Sequence, residues 1–267
     1  MKSSLAKDTF RQVRKSLGRF LSIFLIVALG VGLFAGIKAT APDMKITADK
    51  YFDDYRLMDI RLISTVGFNE DDIKEIQKLS EIEGISPGYS VDLLAEYGEN
   101  SFVVKLLSIP LDKVNTDDKS YINRVKLVEG WFPEKPGEIL AEHGNGINPS
   151  FPIGSKVKFS SGTDEDIKSF IKRDEYTVVG LVDTPYYLSF ERGNTNIGTG
   201  KISCFMMLPE EEFELSVYTD VYLTVEEARG IMTYDDEYDD ILDPIKEKLK
   251  NIGESRAEAR YKEIVDE

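Results

Sequence analysis

The run Phe20 to Ile37, FLSIFLIVALGVGLFAGI, decides how the rest of the chain must be read. It carries no charged side chain, and as an α-helix it rises about 27 Å, close to the roughly 30 Å of a bilayer's hydrocarbon core. A segment in that environment must pair every backbone N–H and C=O within itself, so helix is the expected conformation, and Gly30, Gly32 and Gly36 are tolerated. The expectation is one membrane-crossing helix over residues 20–41.

Charge on either side sets its direction. Lys2, Lys7, Arg11, Arg14, Lys15 and Arg19 precede the run and Lys38 follows it, against Asp8 as the sole acid among residues 1–40. The whole chain holds 33 basic and 48 acidic residues, so everything beyond is strongly acidic. The excess of cations before the span places residues 1–19 in the cytoplasm and residues 42–267 outside the cell membrane. Nucleic acid is excluded as a partner, because its binding needs a concentrated basic surface to displace counterions. Ala39-Thr40-Ala41 has the small-x-small form of a signal cleavage site. The long basic lead, the length of the apolar run and Pro42 immediately after the cut favour a retained anchor.

Leu5, Phe10, Val13 and Leu17 recur at helical spacing among the cations, which predicts a short amphipathic helix at the cytoplasmic face of the lipid. Arg11, Arg14, Lys15 and Arg19 are its candidate contacts with anionic lipid or a cytoplasmic protein. Inside the span, Ala28, Gly32 and Gly36 fall four apart, a small-residue stripe against which another membrane helix can pack.

Beyond the span the pattern predicts an α+β body. Residues 41–57 continue as a helix past Pro42. Asp59 to Ser64 alternates as a strand that Gly67 ends, Asn69 caps a helix carrying Ile73, Ile76, Leu79 and Ile82, and Gly84 stops it. A second such unit pairs the strand Asp220–Val225 with a helix over Tyr238–Ile252. Runs at Val91–Tyr97 and Phe102–Ile109 are read as completing the first βαβ unit. Residues 42–111 and 219–253 thus form the core, interrupted at 112–218 by a β-rich insertion with strands near 125–128, 138–141, 156–159, 176–182 and 201–207, and a helix over 164–173. Ser255 and Glu258 have capping-box spacing, so residues 254–267 are expected to open a separate charged helix, cut off in mid-course.

No catalytic, cofactor or metal set emerges. His143 is the only histidine and lacks partners at useful spacing. Gly193 to Lys201 superficially has the look of a phosphate loop, but Thr195 and Ile202 stand where glycine and Ser or Thr are needed, which leaves a hairpin. Asp235 to Asp240 lacks the glycine and closing glutamate of a calcium loop. Cys204, the only cysteine, sits in an apolar strand and is expected to be inert. Thr184 to Phe190 is either an exposed aromatic surface or the packing under its own loop.

The opening Phe10-Arg-Gln-Val-Arg-Lys-Ser-Leu-Gly-Arg-Phe20, the segment Val125-Lys-Leu-Val-Glu-Gly-Trp131-Phe-Pro with Gly137-Glu-Ile-Leu140, and Tyr176-Thr-Val-Val-Gly-Leu-Val182 resemble the N-terminal half of FtsX/MacB-type ABC transporter permeases. The resemblance implies a non-enzymatic chain with no bound cofactor that works with a separate cytosolic ABC ATPase. It also implies further transmembrane helices, of the same permease or of a second copy, and roles such as mechanotransmission, efflux or antimicrobial-peptide resistance. Such permeases have at least four spans and only the first is present here. A stand-alone anchored binding or sensor module is the alternative, and an anchored hydrolase using acids such as Glu138, Glu142 and Asp183 is a third.

Overall fold

The computed structural model describes residues 4–144, 146 and 148–266; Lys2 and Glu267 lie outside them, as do the side chains of Leu5 and Ile264. The chain divides into two compact units, residues 1–50 and 51–267.

The first unit is helical. α1 (Ser4–Lys15) ends one residue before α2 (Leu17–Asp54), and Ser16 donates its N–H to the carbonyls of Gln12 and Val13 at the junction. The amphipathic helix is thus shorter than expected: Arg19 belongs to the first turn of the apolar helix, not to α1. Pro42 stands inside α2 without ending it, as the sequence predicts.

The second unit is mixed α/β and contains two sheets. In the three-stranded sheet, β10 (Tyr218–Val225) runs between β1 (Ile60–Phe68) and β2 (Ile82–Gly88), antiparallel to both. β1 and β2 are therefore parallel, joined through α3 (Glu70–Ile76) as a split βαβ motif. Ile73 and Ile76 of α3 and Leu242, Ile245 and Leu249 of α4 (Asp236–Asp266) pack with Ile60, Val221 and Leu223 in one core.

Three local expectations change here. Asn69 does cap α3, in a full capping box with Asp72, but the helix stops at Ile76, and Ile82 and Gly84 lie in β2. Gly84 is needed for a close approach instead of a helix stop: a Cβ there would sit 2.2 Å from the Lys119 carbonyl oxygen. Gly67 lies inside β1, at φ +71, where the pairing with β10 shifts register between Ile63 and Phe68. Ser255 opens nothing, because α4 continues through Gly253 without interruption.

The second sheet has the order β5-β8-β6-β9-β4-β3-β7, built from β3 (Ser90–Tyr97), β4 (Asn100–Ile109), β5 (Lys126–Gly130), β6 (Glu138–Glu142), β7 (Lys156–Ser160), β8 (Glu175–Asp183) and β9 (Cys204–Pro209). β7 pairs with the start of β8 as well as with β3, so the sheet closes on itself and β5 flanks the later part of β8. β3 and β4, read from sequence as completing the first βαβ unit, belong here instead. β4 gains β9 as a parallel neighbour some hundred residues away, a pairing no local pattern encodes.

Leu93, Ala95, Val104, Leu106, Cys204, Met206 and Leu208 fill one face of this sheet, and Leu107, Ile109, Phe205 and Met207 the other. Burial on both faces explains why β9 reads as a continuous apolar run and why β4, broken by Lys105 and Ser108, does not alternate. The helix expected over 164–173 shrinks to a single 3-10 turn, Ile167–Ser169, capped by Asp166, after which Ile171 bridges to Phe213.

Candidate functional site

The apolar run of α2 is exposed along its whole length; Leu29, Ile26 and Leu33 each keep about 70% of their surface open. Among the described residues, one helix, Leu17–Asp54, is long and apolar enough to cross a membrane. An apolar surface this large is incompatible with water as its only neighbour. Ala28, Gly32 and Gly36 are related by single helical turns, and added Cβ atoms at Gly32 and Gly36 would meet nothing. Arg11, Arg14 and Lys15 on α1 and Arg19 on α2 are all exposed.

Within the second unit, the end of α2 is fastened by hydrogen bonds that sequence reading did not foresee. Phe52 is buried, its ring centroid 6.3 Å from that of Tyr234. Asn123 and Arg124 donate their N–H groups to the carbonyls of Arg56 and Tyr55, both at 2.8 Å, and the Asn123 side chain accepts from the N–H of Met58. Arg56 and Asn123 both take positive φ, 51 and 54, to make these contacts. The Arg56 guanidinium then reaches Glu83 at 2.9 Å, and Lys119 and Arg229 meet the other oxygen of the same carboxylate. Burial pushes the Glu83 carboxyl up, but the three cations outweigh it and hold the group below its ordinary value.

A second polar cluster joins β6, β9 and the loop after β8. Glu142 is enclosed, bonded to Arg192 through both oxygens, to the Asn148 amide and to the backbone N–H of Phe205. Tyr187 stacks on Phe205 and lies under the Arg192 guanidinium, 4.9 Å from ring centre to cation. Next to it, Nδ1 of His143 stands 3.4 Å from Asp183. Glu138 accepts from the N–H groups of Glu134 and Lys135. Of the acids singled out for a hydrolase, Glu142 and Asp183 line one pocket with His143, Glu142 being held by Arg192, while Glu138 is taken up by the backbone of residues 134 and 135.

The aromatic segment divides between its two readings. Tyr186 and Tyr187 pack inward, and burial pushes the Tyr186 hydroxyl up to about 12, while Leu188 and Phe190 remain exposed. Gly193 to Lys201 folds back as a hairpin through the Asn194–Lys201 bridge. Cys204 is fully buried, which raises its thiol well above the usual range. Among the described residues, no cluster of three or more His, Cys, Asp or Glu side chains is arranged to hold a metal. A groove of about 770 Å³ lies between β1 and the second half of α4. It brings together residues almost two hundred positions apart, so no sequence motif announces it.

No family model matches the chain, and no curated protein matches it by sequence. Among solved structures it is similar to the extracellular domain of the noncanonic ABC-type transporter YknZ from Gram-positive bacteria, with a TM-score of 0.36 and 12% identity over 61% of this chain and 75% of that one. It is also similar to the periplasmic region of MacB from Actinobacillus actinomycetemcomitans, with a TM-score of 0.36 and 12% identity over 73% of this chain and 75% of that one.

Proposed function

We propose that the chain is the N-terminal portion of an FtsX/MacB-type ABC transporter permease, in which a separate cytosolic ATPase drives motion of the extracytoplasmic body. The observation that carries this reading is α2 itself. One helix holds both the apolar run and, at its end, Phe52, and the residues just after it are tied by backbone bonds to Asn123 and Arg124. A displacement of the end of α2 has to be passed on through those bonds. Residues 1–19 face the cytoplasm with Arg11, Arg14, Lys15 and Arg19 as the lipid- or ATPase-facing cations. The stripe Ala28, Gly32 and Gly36 receives a further helix of the permease or of a second copy.

Sequencing the gene past Glu267 tests the reading most directly. Further spans and an adjacent ATPase gene that co-purifies with the product support it, and a stop codon immediately after Glu267 refutes it in favour of an anchored binding module. Orientation needs an engineered thiol, because Cys204 is enclosed. In a Cys204→Ala background, Asp164→Cys should react with an impermeant maleimide on intact cells; reaction only after permeabilisation overturns the topology.

A further inference from the structure

β1 is an edge strand: β10 lies on one side of it and no strand pairs with the other among the described residues. Every residue from Asp59 to Phe68 lines the groove, which happens when a cleft runs along a strand's edge and not across one face. The opposite wall is α4 from Lys246 to Arg260, with Ile252 and Ala257 contributing apolar surface. Ile63 and Val66, exposed by 67% and 52%, project from the strand without apolar cover. An exposed edge with such side chains invites another extended segment to add to the sheet.

The charge of the groove identifies the kind of segment. In a chain with net charge −15, its lining holds Arg61, Lys246, Lys250, Arg256 and Arg260 against Asp59 and Asp72; Arg61 is paired with Asp220, Lys246 with Asp243 and Arg256 with Asp72, which leaves Lys250 and Arg260 as the cations without an ion-pair partner among the described residues. Both acids are committed elsewhere. Asp59 accepts from the N–H of Val225 and the hydroxyl of Tyr238, and Asp72 from the N–H of Asn69 and the Arg256 guanidinium. The Nε of Arg260 is buried without a hydrogen-bond acceptor. A basic, partly apolar groove on an acidic body is complementary to carboxylates spaced along an extended backbone.

We infer that the groove between the free edge of β1 and α4 docks an extended peptide segment of a partner protein, apolar at alternate positions and acidic at those between. Main-chain bonds to the β1 edge supply the affinity, and Lys250 and Arg260 select the charge. A second copy of the chain fits less well, because a symmetric contact through this groove sets its cations against themselves. The inference does not depend on the permease reading, since it concerns the second unit alone.

The test uses the full chain in phosphatidylcholine nanodiscs. The probe is a pooled library of blocked peptides of about ten residues, the length of one strand, alternating Val, Ile or Phe with Asp or Glu; a matched library carries Lys or Arg instead. The acidic pool should bind, slow amide exchange across Ile60–Ile63, and weaken by about tenfold in the Lys250→Glu/Arg260→Glu variant, while the basic pool should not bind. Ile63→Ser, which removes the apolar side chain at an exposed position without adding charge, should weaken binding with the fold unchanged. Equal binding of both pools, no binding, or binding unaffected by these substitutions overturns the proposal. So does a concentration-dependent dimer that the charge reversal abolishes, which would make the groove a self-interface.

Discussion

Nη2 of Arg192 lies 2.6 Å from Oε1 of Glu142, and both side chains are almost wholly enclosed although fifty residues separate them. The pair fastens the loop after β8 to the end of β6. Removing one member leaves the other charge buried and uncompensated, so Arg192→Met should cost about 3–5 kcal/mol, whereas Arg192→Met with Glu142→Leu should recover much of that loss. Denaturant titration of both variants measures the difference. Equal stability of the two would show that the pair is not energetically coupled.

The Glu83 cluster makes stability depend on pH. Its carboxyl is held below the ordinary value in the folded chain, so the unfolded state binds the proton more readily. The stabilisation is therefore complete above the unfolded value of about 4.3 and is lost as pH falls through the lower folded value. Thermal unfolding between pH 3 and 6 should show this slope in the native chain and a shallower one in Glu83→Gln.

At the start of α3 the Asn69 side chain accepts from the N–H groups of Asp71 and Asp72, while Asp72 bonds back to the Asn69 N–H. Asn69→Ala should cost about 1 kcal/mol, and Asn69→Asp should be tolerated. Chemical denaturation reads both, and an alanine variant as stable as native would mean the cap contributes nothing.

Gly84→Ala should be worse than its size suggests, because the new Cβ would overlap the Lys119 carbonyl and approach the Thr224 hydroxyl to 2.7 Å. Both neighbours are held by the fold, so a loss of about 2–3 kcal/mol is expected. The control is Gly98→Ala: its Cβ meets nothing, so any loss there reports only the cost of positive φ at 63.

Replacing Gly32 and Gly36 with leucine tests the stripe in α2. The body formed by residues 51–267 should unfold as before, while co-purification with other membrane subunits drops. Unchanged co-purification would remove helix packing as the reason for these residues.

Legibility followed the range of the interaction. The Asn69 cap, the β10 strand and the inward face of α4 at Ile245 and Leu249 were readable because each depends on neighbours within a turn or two. The same local logic failed where distant backbone decided. Gly84 looks like a helix stop until Lys119 is placed against it, and the Ser255 box is silent because the helix from Asp236 already runs through it. β4 alternates poorly because both its faces are covered, which only the closure of the sheet reveals.

By itself, the order of residues determined the apolar helix, the charge asymmetry around it and the mixed α/β character of the body beyond it, since these rest on hydropathy, periodicity and capping within short stretches. The sheet order, the closure of β7 onto β8, the Glu142–Arg192 pair and the basic groove beside β1 were decided only in three dimensions. Each joins segments tens to hundreds of residues apart, where the energy lies in contacts that no local pattern records.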